Sequence, residues 1–239
     1  MDLHRKMNRS KRINKQNQIS QGYDLSMLGF DYSRYQKCIT FLDKDALSKH
    51  NEKYPKGSKK YLHEDLTPCP FEGNLLKAKI YLLLTNPGVS ENSTQLTHNL
   101  SVKGWGIANL SLKSKSTWYR PRFSRLLDDP DDESEWMQIS NKIAMIQAIP
   151  WASKNDPGIK LPSSNLMIDT VSELAKIRND AIFIVMRRKK FWMHALQKID
   201  SSRVIVSRNP RCTYITEGNL GPVLKKIKQL LINSELNHV

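Results

Sequence analysis

Lys79-Ile80-Tyr81-Leu82-Leu83-Leu84-Thr85, followed at once by Asn86-Pro87-Gly88, is the stretch on which the fold turns. Its apolar residues run almost without interruption, as they do in a strand buried on both faces. Asn86-Pro87-Gly88 stops the strand sharply, because Pro fixes the turn and Gly lets backbone come close to whatever lies beside it. Three later runs repeat the design. Ile143-Ala144-Met145-Ile146-Gln147-Ala148-Ile149 ends at Pro150-Trp151, Ala181–Met186 ends at Arg187-Arg188, and Arg203–Ser207 ends at Arg208-Asn209-Pro210-Arg211.

Helical patterns lie between these runs. Ser164 is placed to cap a helix running to about Arg178 with Met167, Val171, Leu174 and Ala175 inward. Phe191 to Ile199 forms another, and a last one after Gly221-Pro222 carries Val223, Leu224, Ile227, Leu230 and Leu231 on one face. Upstream, Tyr23 to about Tyr61 reads as mostly helical, with Tyr35, Cys38, Ile39, Leu42 and Leu47 in a stripe, and Thr67–Asn74 reads as a loop. Strands alternating with helices predict an α/β chain of three layers, α/β/α, around a central four-stranded parallel sheet. Ligands of such sheets bind beyond the carboxyl ends of the strands. All the strand candidates end there in polar or aromatic residues.

Composition narrows the partner. The 239 residues carry a formal charge of +15, which suits a polyanion, since every phosphate contact releases a condensed counterion. Arg5, Lys6, Arg9, Lys11, Arg12 and Lys15, mixed with Asn, Gln and Ser, make residues 1–20 a basic arm expected to be disordered, with residues 21–239 as one domain. The longest aliphatic stretch, Ile80 to Leu84, is far too short to span a membrane, and no secretory apolar segment follows the charged start. A cytoplasmic monomer without a membrane partner is expected. Cys38, Cys69 and Cys212 lie far apart, so neither a disulfide framework nor a zinc or iron–sulfur site is expected. The consecutive acids Asp128 to Glu133 sit on a Pro-broken loop, and a solvated loop leading into a helix explains them better than a metal-dependent nuclease does.

Two short motifs carry chemistry: Thr85-Asn86-Pro87-Gly88 after the first strand, and Asn209-Pro210-Arg211 after the fourth. In these the chain resembles the uracil-DNA glycosylase superfamily, particularly its mismatch-specific and single-strand-selective branches. The likeness runs from about Pro68 to the last helix. It implies an enzyme that flips a base out of DNA and hydrolyses its bond to the sugar, without metal or cofactor, in DNA repair or in defence against foreign modified DNA. By this resemblance Asn86 orients the attacking water, with Thr85, Pro87 and Gly88 at the substrate. Asn209 and Arg211 meet the departing base or the backbone beside it, and Gln147 reads the base's pairing edge. Val89 stands where many relatives carry a stacking aromatic, and Arg211-Cys212 replaces small residues of the second motif. A bulky or modified base is therefore expected rather than plain uracil.

Several residues have a structural alternative of similar weight. Gln147 suits a pyrimidine edge because an amide both donates and accepts, and is equally a strand glutamine satisfied by backbone. Trp151 is a candidate for stacking on a base, with a core position somewhat favoured. Trp118-Tyr119-Arg120-Pro121-Arg122-Phe123-Ser124-Arg125 interleaves rings and guanidiniums, which suits single-stranded or flipped nucleic acid as well as an amphipathic helix. Arg120, Arg122, Arg187, Arg188 and Arg208 are candidates for DNA-backbone contact. The competing reading, from another class, is a non-catalytic nucleic-acid-binding module on the same fold.

Overall fold

A computed structural model describes residues 32–89 and 118–232, which fall within one unit, Tyr32–Val239. The basic arm at 1–20 lies outside the described residues. Helix α1 (Tyr32–Lys53) leads to a short strand β1 (Phe71–Glu72) and then to β2 (Ile80–Leu84). Next come α2 (Tyr119–Phe123), a turn of 3₁₀ helix (Ser124–Leu126), α3 (Glu133–Lys142) and β3 (Ile143–Gln147). Then follow α4 (Ser163–Ile177), β4 (Ile182–Val185), α5 (Lys189–Leu196), β5 (Val204–Val206), α6 (Glu217–Leu220) and α7 (Val223–Ile232).

The four expected strands are present and mutually parallel, in the order β3-β2-β4-β5. The sheet nevertheless has five strands and is mixed: β1 adds antiparallel to the outer edge of β3, with Phe71 opposite Ile146 and Glu72 opposite Met145. A purely parallel four-stranded sheet is thus corrected. The reason is length, since a two-residue strand inside Pro68-Cys69-Pro70-Phe71-Glu72-Gly73 shows no alternation among its turn formers. Gly73 is required there. Its φ is +88°, and a Cβ would lie 2.4 Å from the carbonyl oxygen of Ile143.

Alternation across β2, β3 and β4 divides the core in two. Ile80, Leu82, Leu84, Ile143, Met145, Ile182 and Ile184 cluster with Phe123 of α2, Trp136 and Ile139 of α3, and Ile227 and Leu231 of α7. On the opposite face Tyr81 stacks on Phe183 at 4.8 Å, and α4 and α5 pack together there. Trp192 of α5 donates its indole N–H to the Leu84 carbonyl at 3.0 Å, at the carboxyl end of β2. Each fully buried aliphatic side chain contributes roughly 2 kcal/mol, which is why the central strands carry no charged residue.

Helix α1 is tied in by a buried carboxylate. Asp43 accepts from Trp151 Nε1 at 2.8 Å, from Ser163 N at 2.8 Å and from Ser163 Oγ at 2.6 Å. Burial pushes the Asp43 carboxyl up, against the hydrogen bonds from Ser163 and Trp151 that hold it down. Ser163 begins α4, whose own N-cap position, Pro162, offers no side-chain acceptor. A residue 120 positions earlier therefore does the capping. Ser164, the expected cap, lies inside the first turn and donates its hydroxyl to the Ala148 carbonyl at 3.3 Å.

Candidate functional site at the carboxyl edge of the sheet

The chain passes from β2 to β3 on one side and afterwards to β4 and β5 on the other. The strand order reverses at the β2–β4 boundary, where an open α/β sheet leaves a crevice beyond the strand ends. Asn86 follows β2 into that region and Arg187 follows β4, with Leu83 and Val185 in register below them. Gln147, the last residue of β3, stands opposite Leu84 on the other flank.

Asn86 is half-buried and firmly oriented. Its Nδ2 donates to Pro87 O at 2.9 Å, to Ser153 Oγ at 2.9 Å and to Ser153 O at 3.4 Å. Two of these acceptors are carbonyl oxygens, which cannot donate, so the NH₂ end must face them. Oδ1 has no hydrogen-bond partner among the described residues and is the end left to accept from a water or a ligand. Ser153 is itself built in: its N–H donates to Pro87 O at 3.1 Å, its Oγ donates to Asn155 O at 2.5 Å, and it bridges Gly88 as an extra parallel pair. Ser153 escaped the sequence reading because nothing local marks it; only the fold brings it to a partner 67 residues away.

Thr85 and Pro87 are buried, while Gly88 is exposed. Among the described residues a Cβ on Gly88 would meet nothing within 4 Å, and its φ is not positive. Neither strain nor packing against the described residues demands glycine at this position, which leaves backbone that a ligand can approach closely. Gln147 is 2% exposed, and its Oε1 is buried without a partner among the described residues. Backbone does not satisfy that oxygen, contrary to the structural alternative. An unpaired buried acceptor costs about 1–3 kcal/mol, an expense that concentrates at functional sites.

Trp151 belongs to the core. It is 3% exposed, with its N–H spent on Asp43, so the stacking role gives way to that of an anchor for the loop carrying Ser153. Arg120 is engaged by both oxygens of Glu133 and lies over Trp136, which removes it from the set of free phosphate ligands. Arg188 donates to Asp156 Oδ1 at 2.6 Å and to Ile159 O at 3.1 Å, and it takes a left-handed backbone, φ 51°, just before α5. Both reassignments have one cause: each arginine meets a carboxylate from another element, Glu133 at the start of α3 and Asp156 on the loop after β3. Asp156 is held below the usual carboxylate range; burial works against this, and the Arg188 pair and the Gly158 N–H prevail.

Asn209 and Arg211 stand at the exposed tip of the loop after β5. Asn209 Oδ1 accepts from Arg211 N at 3.0 Å and Asn209 O accepts from Cys212 N at 3.1 Å, so the side chain closes its own turn. Arg208 is exposed, its guanidinium lying against Gly221. Arg187 donates from Nη2 to Arg211 O at 3.4 Å, while its Nε is buried without a partner among the described residues. Arg122 packs between the rings of Trp118 at 4.2 Å and Tyr214 at 4.9 Å. The structure therefore brings Asn86, Gln147 and Arg187 to adjacent strand ends, with Asn209 and Arg211 one strand further out.

No protein-family model and no curated protein matches the chain. Among the described residues no group of three or more His, Cys, Asp or Glu side chains is arranged to hold a metal ion, and no helix is long and apolar enough to cross a membrane.

Proposed function

We propose that the chain is a DNA glycosylase similar to the uracil-DNA glycosylase superfamily, acting on a flipped-out, modified base in DNA repair or in defence against foreign DNA. The observation that carries this reading is the fixed amide of Asn86 at the reversal point of the sheet, its Nδ2 anchored by Pro87 and Ser153 and its Oδ1 open. In the proposed reaction Oδ1 accepts a hydrogen bond from water and aims the water's lone pair at the anomeric carbon. The C–N bond breaks, its electron pair leaves on the base, the water oxygen bonds to the carbon, and a proton passes to solvent. Because the sugar is cationic near the transition state, the water needs position more than deprotonation, and an amide suffices. The departing base gathers negative charge, which Arg211 and Arg187 at the neighbouring strand ends would offset. Gln147, whose Oε1 has no partner among the described residues, offers the base an acceptor. The charge of +15 supports a DNA partner. A cytoplasmic monomer working without cofactor belongs to the same proposal.

One observation favours the second reading, a non-catalytic DNA-binding module: Asn209 spends its carbonyl oxygen on its own turn. Oligonucleotides carrying uracil, hydroxymethylcytosine, glucosylated cytosine and common lesions, incubated with the protein in EDTA, separate the two. The glycosylase reading expects alkali-labile cleavage at one modified base. Salt-sensitive binding without abasic sites on any substrate would leave only the module.

A further inference from the structure

Of the arginines that the sequence offers for backbone contact, Arg120 and Arg188 are engaged by carboxylates, whereas Arg122 and Arg187 are not. Arg122 donates from Nε to Thr213 Oγ1 at 3.1 Å and from Nη1 to Trp118 O at 2.7 Å, and Arg187 donates to Arg211 O at 3.4 Å. Neither has an ion-paired carboxylate among the described residues. The two guanidiniums sense each other: burial and the Arg187 charge both hold Arg122 down, partly offset by Tyr214 and Cys212. The acid whose field Arg187 enters, Asp156, is already committed to Arg188. Both guanidiniums reach the same loop after β5, Arg122 at Thr213 Oγ1 and Arg187 at Arg211 O, and two cations converging there without a paired carboxylate among the described residues mark a place where an anion belongs.

The surroundings say which anion. Trp118 and Tyr214 sandwich the Arg122 guanidinium yet stay 39% and 38% exposed. The sandwich is preformed, because Ile215 N donates to Arg122 O at 2.9 Å and locks α2 to the loop that carries Tyr214. Paired duplex bases have no free ring face to offer such surfaces, whereas unpaired bases do. We propose that Arg122 and Arg187 clamp one phosphodiester of single-stranded DNA while Tyr214 and Trp118 stack its neighbouring unpaired bases. The site lies on the β4–β5 side of the Asn86 crevice and holds the strand flanking the flipped nucleotide. This deepens the glycosylase reading in choosing DNA as the strand, but the clamp itself is a binding site and can be tested without chemistry.

Fluorescence anisotropy of a labelled fifteen-nucleotide single strand, its duplex and the RNA of the same sequence, each across a salt series, is the test. The single DNA strand is expected to bind several-fold tighter than the duplex. Tyr214→Ala is expected to weaken single-strand binding by about tenfold, and Arg187→Gln to lower the salt slope by about one. Arg122→Lys, which keeps the charge but loses the planar stack, checks that the loss comes from the sandwich and not from misfolding, and is expected to fall between wild type and Tyr214→Ala. Tighter binding of duplex or of RNA, or wild-type affinity in both Tyr214→Ala and Arg187→Gln, overturns the proposal. Lack of abasic sites with the clamp effects intact would sink the glycosylase reading alone.

Discussion

The two ends of the central sheet treat their polar groups in opposite ways. At the amino end every cation named here has a partner. Lys79 and Arg178 both hold Asp180, Arg178 also donates to Leu76 O, and Arg203 donates to Ala181 O at 3.0 Å, to Ala175 O at 3.2 Å and to Arg178 O. Ala175 and Arg178 stand at the C-terminus of α4, so Arg203 answers carbonyls left over by the helix and opposes the negative end of its dipole. At the carboxyl end the accounts are left open. Among the described residues Gln147 Oε1 and Arg187 Nε are buried without partners, and Asn86 is fixed at one end of its amide and open at the other. Paired groups gather below the sheet, and the proposed ligand chemistry lies above it.

That contrast can be broken or sharpened by substitution. The largest effect is expected from Asn86→Ala, which removes the oxygen proposed to orient the water and should slow base excision at least roughly a hundredfold, measured by single-turnover formation of alkali-labile sites. At the opposite end, Arg203→Met keeps the aliphatic stem but strips the hydrogen bonds from three carbonyls, and urea titration should show a loss of about 2 kcal/mol. Ser153→Ala leaves Asn86 Nδ2 only carbonyl acceptors, and a drop of about tenfold in excision rate is expected with little change in melting temperature. Gly88→Ala should leave stability unchanged or raise it by roughly 0.5 kcal/mol while weakening substrate binding, because the methyl fills space that the described residues leave clear. The smallest effect concerns pH. Burial tends to raise the Asp180 carboxyl, but hydrogen bonds from Arg178 and Lys79 bring it down to about 2. A depressed folded-state value means stability present above the unfolded value near 3.9 and lost as pH falls toward 2. The pair is part-exposed, so screening holds the loss below about 1 kcal/mol, and Asp180→Asn should remove that slope.

Much of the architecture could be read from residue pattern. The strands over 80–84, 143–147, 182–185 and 204–206 fall inside the expected apolar runs, because a strand buried on both faces leaves an unbroken hydrophobic signature. The edge strand Phe71–Glu72 left none. For α5, expected at Phe191, the helix starts at Lys189, since the left-handed Arg188 supplies a turn that no Gly or Asn announced. Within the site, Asn86 and Gln147 were legible because they end strands. Their partners were not. Ser153, Asp43 and Asp156 are ordinary residues until the fold delivers them to Asn86, Trp151 and Arg188. For the same reason pattern alone could not separate Arg120 and Arg188, which are consumed by Glu133 and Asp156, from Arg122 and Arg187, which are not.

The most direct test measures excision and unfolding side by side in Asn86→Ala and Arg203→Met. The account predicts a crossover: Asn86→Ala melts as wild type but forms almost no abasic sites on the substrate base, and Arg203→Met melts early yet excises at the wild-type rate in the cold. Excision by Asn86→Ala within threefold of wild type would contradict the assignment of chemistry to the carboxyl edge.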